Sequence, residues 1–65
     1  MVTVKDRQIE WRENMTLRDA LREIGYDVPA VIVRVDGTTV RRRDWDGYLV
    51  PDGARVDIHR MAVGG

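Results

Sequence analysis

One short amphipathic helix sets the terms for what this chain can become. Leu17, Ala20, Leu21 and Ile24 recur at helical spacing and form a single apolar stripe. Arg18, Arg22 and Glu23 lie on the opposite side. Thr16 is placed to accept a backbone N–H at the helix start, and Asp19 three residues on completes a weak capping box. Gly25 follows the last apolar position, where a left-handed cap is expected. The spacing predicts a helix over Leu17 to Ile24, under three turns. A helix of that length does not persist alone in water. Its stripe has to lie on something, and the rest of the chain offers strands.

Val2 and Val4 alternate with Thr3 and Lys5, and Ile9 and Trp11 alternate with Gln8, Glu10 and Arg12. These read as two strands of a hairpin turning at Asp6-Arg7. After the helix, Ala30 to Val35 is a β-branched run suited to a central strand. Val31, Val33 and Val35 are expected to face the helix, with Ile32 and Arg34 facing away. Asp36-Gly37 is a strong hairpin signal leading to Thr38–Arg41. Arg42 to Gly47 is an irregular stretch carrying Trp45, and Asp52-Gly53 is a further turn. The last strand is expected over Ala54 to Arg60, with Val56 and Ile58 inward and Arg55, Asp57 and His59 outward.

The order β-β-α-β-β-β describes a two-layer α+β domain. The helix crosses one face of a mixed sheet of four to five strands. The first and last strands lie parallel and adjacent at its centre. This is the ubiquitin-like β-grasp arrangement. It assigns residues 1–60 to the domain and 61–65 to an extended flexible tail. With no phenylalanine in the chain, Trp11 and Trp45 are expected to fill the core rather than anchor a partner.

Composition narrows the function. Sixty-five residues allow one modest core, and there is no cysteine to staple it or to act as nucleophile or metal ligand. There is no serine, and His59 is the only histidine. Neither a Ser–His nor a Cys–His pair can be assembled. A zinc site, which needs several His or Cys ligands, is not expected. Eleven basic residues balance eleven acidic ones, so no global field draws the chain to nucleic acid or an anionic membrane. No apolar run approaches the ~20 residues of a membrane span, and the first residues lack the layout of a signal peptide. The expectation is a cytoplasmic protein, monomeric when free, with no catalytic residues, metal or bound cofactor of its own.

The chain's last five residues are Met61, Ala62, Val63, Gly64 and Gly65. They are uncharged, and two glycines let a backbone enter a passage too narrow for other residues. Fully extended they reach about 17 Å. The α-carboxylate of Gly65 is therefore the candidate reactive group. Gly64, Val63, Ala62 and Met61 are the candidates for threading into a partner's active site.

Together these residues resemble the sulfur-carrier proteins of thiamine biosynthesis, the ThiS family, over nearly the whole length. The likeness rests on Thr16-Leu17, Leu21 and Ile24-Gly25 in the helix and on Ala30 to Gly37 in the third strand and turn. It continues through Val40 to Trp45 and Asp52 to Ile58, and ends on Gly64-Gly65. Arg42 followed three residues later by Trp45 is a fairly specific mark of that family. The diglycine end is shared by sulfur-carrying and conjugating ubiquitin-like proteins alike. Two positions depart from the family pattern: Asp6-Arg7 in place of Asn-Gly, and Arg41 in place of proline.

The resemblance implies that an adenylating enzyme of the ubiquitin-activating type (ThiF-like) uses ATP to join the Gly65 carboxylate to AMP. Sulfur from a donor such as a cysteine desulfurase then displaces AMP to give a thiocarboxylate, which a thiazole synthase (ThiG-like) consumes. The chain is then a cosubstrate acted on by partner enzymes. Ile32, exposed by its place in the alternation, and Arg42 are candidate docking residues. The run Arg41-Arg42-Arg43 also reads as a solvated edge. Other outcomes of the same chemistry are sulfur carriage for molybdopterin, cysteine or tRNA thiolation. A ubiquitin-like protein modifier is the alternative from another class.

Overall fold

A computed structural model describes residues 1–27 and 29–60. Its elements, in chain order, are β1 (Val2–Val4), β2 (Arg7–Ile9), α1 (Leu17–Glu23), β3 (Val31–Val35), β4 (Thr38–Val40), a 3-10 turn over Arg42–Asp44, and β5 (Arg55–Arg60). Among the described residues the strands form one sheet in the order β2-β1-β5-β3-β4. β1 runs parallel to β5 at the centre, and the other pairings are antiparallel. The expected β-grasp arrangement is thereby present, with five strands.

The helix forms as its ends dictate. Thr16 accepts the Asp19 N–H at 3.1 Å, and the Asp19 carboxylate accepts the Thr16 N–H at 3.2 Å. Both arms of the capping box are made. Hydrogen bonding from the Thr16 backbone N–H, and then from its side chain, holds the Asp19 carboxyl below its ordinary pKa, Arg12 and Arg22 adding a smaller pull in the same direction. At the other end Gly25 takes φ +78°, the left-handed cap the sequence predicts. Leu17, Ala20 and Leu21 are fully buried, while Ile24 is the C-cap and only partly so. Burying each of the two leucines stabilises the fold by about 1.5–3 kcal/mol.

The sheet supplies the complementary surface. Val2, Val4, Val33, Val35, Val40 and Val56 are buried and join the helix residues, Met15, Trp45, Val50 and Ala54 in one core. Ile58 and Val31 pack at its margin. The helix entrance is tied to the Tyr48–Val50 segment: the Leu17 N–H donates to Tyr48 O at 2.8 Å, and the Val50 N–H to Met15 O at 2.9 Å. Trp11 is partly buried against the core, and its indole N–H reaches Val50 O at 2.7 Å. Trp45 is therefore a core residue with no exposed surface at all, while Trp11 packs at the core's margin.

The first hairpin corrects the sequence reading. The turn is Lys5-Asp6, not Asp6-Arg7, because Val4 pairs with Arg7 and Val2 with Ile9. β2 is consequently Arg7–Ile9, and Trp11 lies beyond it. Lys5 takes φ +53° to close the turn, a conformation that L-residues with a Cβ rarely adopt. Alternation alone could not reveal this, since no glycine or asparagine marks the position. Ala30 is likewise left-handed at φ +65°, so β3 starts one residue later than predicted. Asp36 and Gly37 both have positive φ, as a two-residue Asp-Gly hairpin turn requires.

Candidate functional site

The five tail residues proposed from sequence, Met61, Ala62, Val63, Gly64 and Gly65, lie outside the described residues. What the structure gives is their base. β5 is held between β1 and β3, and its last residue, Arg60, pairs with Val31. β1 flanks only Arg55 and Val56, and from there to Arg60 the segment that leads to the tail is held by its pairing with β3.

The face of the sheet away from the helix is open. On it the cross-strand partners Ile32 and His59 sit opposite one another, and Arg34 opposes Asp57. Ile32 is 36% exposed, an apolar side chain beside the strand that ends at the tail. This is the orientation expected from the alternation.

Arg42 is not on that open face. It begins the 3-10 turn and lies over the Trp45 ring, its guanidinium carbon 5.5 Å from the ring centroid. Arg18 lies over the same tryptophan at 5.8 Å. The Trp45 indole N–H donates to Val40 O at 3.1 Å, which fixes the ring. Asp27 gathers the arginines. Its Oδ2 accepts from Arg22 Nε at 3.1 Å, and its Oδ1 lies 3.6 Å from both Arg18 and Arg42. At 3.6 Å those two contacts are electrostatic rather than hydrogen bonds. Arg18 Nε also approaches Asp46 to 2.8 Å without the alignment of a hydrogen bond. Arg42 is therefore half-exposed but engaged, one member of a charge cluster that clamps the helix to the Trp45 turn.

A second polar grouping was not foreseen from sequence. Lys5 donates to the Tyr26 phenol at 2.9 Å, and its ammonium lies 4.7 Å from the ring centroid. That hydrogen bond and the Lys5 charge hold the Tyr26 phenol below its ordinary pKa, with Arg60 and Arg7 acting in the same sense. The pair spans 21 positions of the chain. Tyr26 at the helix exit and a cation in the first turn are the signals, but only the fold joins them.

Among the described residues no group of three or more His, Cys, Asp or Glu side chains is placed to hold a metal ion. Among the same residues no helix is long and apolar enough to cross a membrane.

Two solved structures share this architecture. A crystal structure of the thiamine biosynthesis protein ThiS from Geobacter metallireducens superposes with a TM-score of 0.78 at 22% identity, covering 98% of this chain and 97% of that one. A solution NMR structure of a thiamine biosynthesis protein from the same organism gives 0.69 at 24% identity, covering 98% and 86%. At such identities the likeness establishes the fold. The family assignment comes from the sequence itself: the model of the ThiS family matches residues 1–65. With the capped helix, the parallel pairing of β1 and β5 and the Trp45 turn in place, the chain belongs to the ThiS family, the sulfur carriers of thiamine biosynthesis.

Proposed function

We propose that this chain carries sulfur as a thiocarboxylate on Gly65 and delivers it for synthesis of the thiamine thiazole. The observation that carries the reading is the family match over the whole chain, Gly64-Gly65 included. The chemistry explains why a glycine carboxylate suits the task. A carboxylate is a poor electrophile because its leaving group would be oxide. Attack of the Gly65 carboxylate on the α-phosphorus of ATP, with release of pyrophosphate, converts it to an acyl adenylate. A persulfide sulfur from a cysteine desulfurase attacks the carbonyl carbon and AMP leaves. A second thiol then cleaves the S–S bond, leaving the thiocarboxylate on the carrier and a disulfide on the donor side. A Cβ at residue 65 would crowd the approach to phosphorus, where misplacement by about 1 Å costs on the order of 100-fold.

In this cycle the catalytic groups belong to the adenylating enzyme and the thiazole synthase, and ATP is bound by the former. This chain contributes the reactive terminus, a tail narrow enough to thread, and a rigid base for it in β5. Ile32 on the open sheet face is the docking residue nearest in register to that base. Arg42, half-exposed over Trp45, is the second docking residue, at the edge of the clamp.

Intact mass after incubation with the adenylating enzyme, ATP and a sulfur donor tests the proposal. The expected result is replacement of one oxygen by sulfur, localised to Gly65. Absence of the gain, with the enzyme active on another carrier, overturns it. Recovery of Gly65 joined to lysines of other proteins would replace it with the modifier reading.

A further inference from the structure

The first hairpin turn and the exit of the helix enclose a cleft of about 200 Å³ lined by Val4, Lys5, Asp6, Arg7, Ile24 and Tyr26. Its floor is apolar: Val4 is fully buried and Ile24 partly so. Its rim is a set of donors. Lys5 gives one N–H to the Tyr26 oxygen, which leaves two ammonium hydrogens unspent. The phenol accepts there, so its own O–H remains to be donated. Arg7 lines the same cleft, and Arg60, at the end of β5, bears electrostatically on Tyr26 as Arg7 does. Among the described residues none of Lys5, Arg7 and Arg60 has a carboxylate within ion-pair distance. Asp6 is the one acidic residue in the lining, and it pairs with none of them.

The backbone adds an independent observation. Lys5 holds a positive φ of 53°, a position where glycine or asparagine would be unstrained. It is also the only lysine of the chain. The two-residue turn imposes this conformation, and with it places the Lys5 side chain at the cleft.

We propose that this cleft is a docking socket for a partner protein, taking a surface segment in which an Asp or Glu adjoins a large apolar side chain. The carboxylate meets Lys5, Arg7 and the Tyr26 hydroxyl, and the apolar side chain covers Ile24. The occupant follows from complementarity. Lys5 and Arg7, with no carboxylate within ion-pair distance among the described residues, and the Tyr26 phenolic proton call for an anion, and the partly buried Ile24 calls for an apolar neighbour that completes its removal from water. The inference rests on the proposed function in one respect. The partner is taken to be one of the enzymes that act on the tail beyond Arg60. The socket then supplies orientation and selectivity to an encounter whose chemistry takes place at Gly65.

Calorimetric titration of the full chain against the adenylating enzyme and against the thiazole synthase tests this. Lys5→Glu/Arg7→Glu is expected to weaken binding to at least one of them by about ten-fold or more, as reversal of paired interfacial charges does. Tyr26→Phe keeps the ring and loses only the O–H, and is expected to weaken the same complex by a few-fold. Added salt should weaken the native complex and leave the reversed variant nearly unchanged. If the double variant does not fold, the Tyr26→Phe and salt results decide. A native chain that binds, with variants that bind as tightly to both enzymes, overturns the socket alone. A native chain that neither enzyme binds overturns the proposed function and the socket with it.

Discussion

Tyr26 and Asp27 are neighbours in sequence and serve opposite corners of the molecule. Asp27 turns toward the Trp45 turn, where it faces Arg18, Arg22 and Arg42. Tyr26 turns toward the first hairpin, where Lys5 holds its hydroxyl and Arg7 and Arg60 stand near. Both corners are rich in cations. In the first the charges are compensated: Asp27 and Asp46 sit among the arginines, and Arg18 and Asp27 are less than one-fifth exposed. In the second the cations have no carboxylate partner among the described residues. The difference teaches that one cluster stabilises the fold while the other is left open to a partner. A formal charge count, balanced over the whole chain, hides both.

The largest effect that would break this comparison lies in the compensated corner. Trp45 is fully buried, has two guanidinium groups over its ring and donates to Val40 O. Trp45→Ala is expected to cost about 3–5 kcal/mol. A small domain has on the order of 5 kcal/mol in hand, so urea titration should find only about 0–2 kcal/mol left and a midpoint near zero denaturant. Near-native stability would mean that the corner is not part of the core.

Asp27→Ala comes next. It removes the one carboxylate shared by three arginines, with its group mostly shielded from water. The expected loss is about 2 kcal/mol, below the range for a fully buried pair because Arg22 and Arg42 reach solvent. The denaturation midpoint measures it. A loss under about 0.5 kcal/mol, the range of an ordinary surface change, would place this corner on a level with the other and dissolve the contrast.

The comparison also marks how far the sequence could be read. Local signals were legible. The Thr16–Asp19 capping box, the Gly25 cap, the Asp36-Gly37 turn and the valine alternation each depend on residues within a few positions of one another, and each is present. The first turn was misplaced by one residue because Lys5, a poor turn former, occupies the left-handed position. A conformation imposed by pairing Val4 with Arg7 leaves no trace in propensity. The clamp around Asp27 and the Lys5–Tyr26 contact were not legible. Their members are far apart in the chain, and arginines on an exposed helix face read as solvated wherever they point. Arg42 shows the limit best. Its spacing from Trp45 identified the family, yet its place over the ring, and hence its structural role, came only from the fold. The tail residues that carry the proposed chemistry rest on family likeness and fall outside the described residues.

The smallest effect sharpens the contrast most, because its sign differs between the two corners. Lys5→Gly relieves a left-handed conformation that costs an L-residue roughly 1–2 kcal/mol. Part of that gain is offset by the greater freedom of glycine in the unfolded chain, about 0.5–1 kcal/mol. Loss of the solvent-exposed hydrogen bond to Tyr26 acts in the same direction and is small. The net expectation is a denaturation midpoint unchanged or slightly raised, within about 0.5 kcal/mol of native. Partner binding through the cleft should weaken in the same variant. A residue that is strained for the fold and needed for docking would produce that opposition between stability and function. A clear loss of stability on Lys5→Gly would show instead that the Lys5–Tyr26 contact holds the hairpin to the helix. Both corners would then be clamps of the same kind.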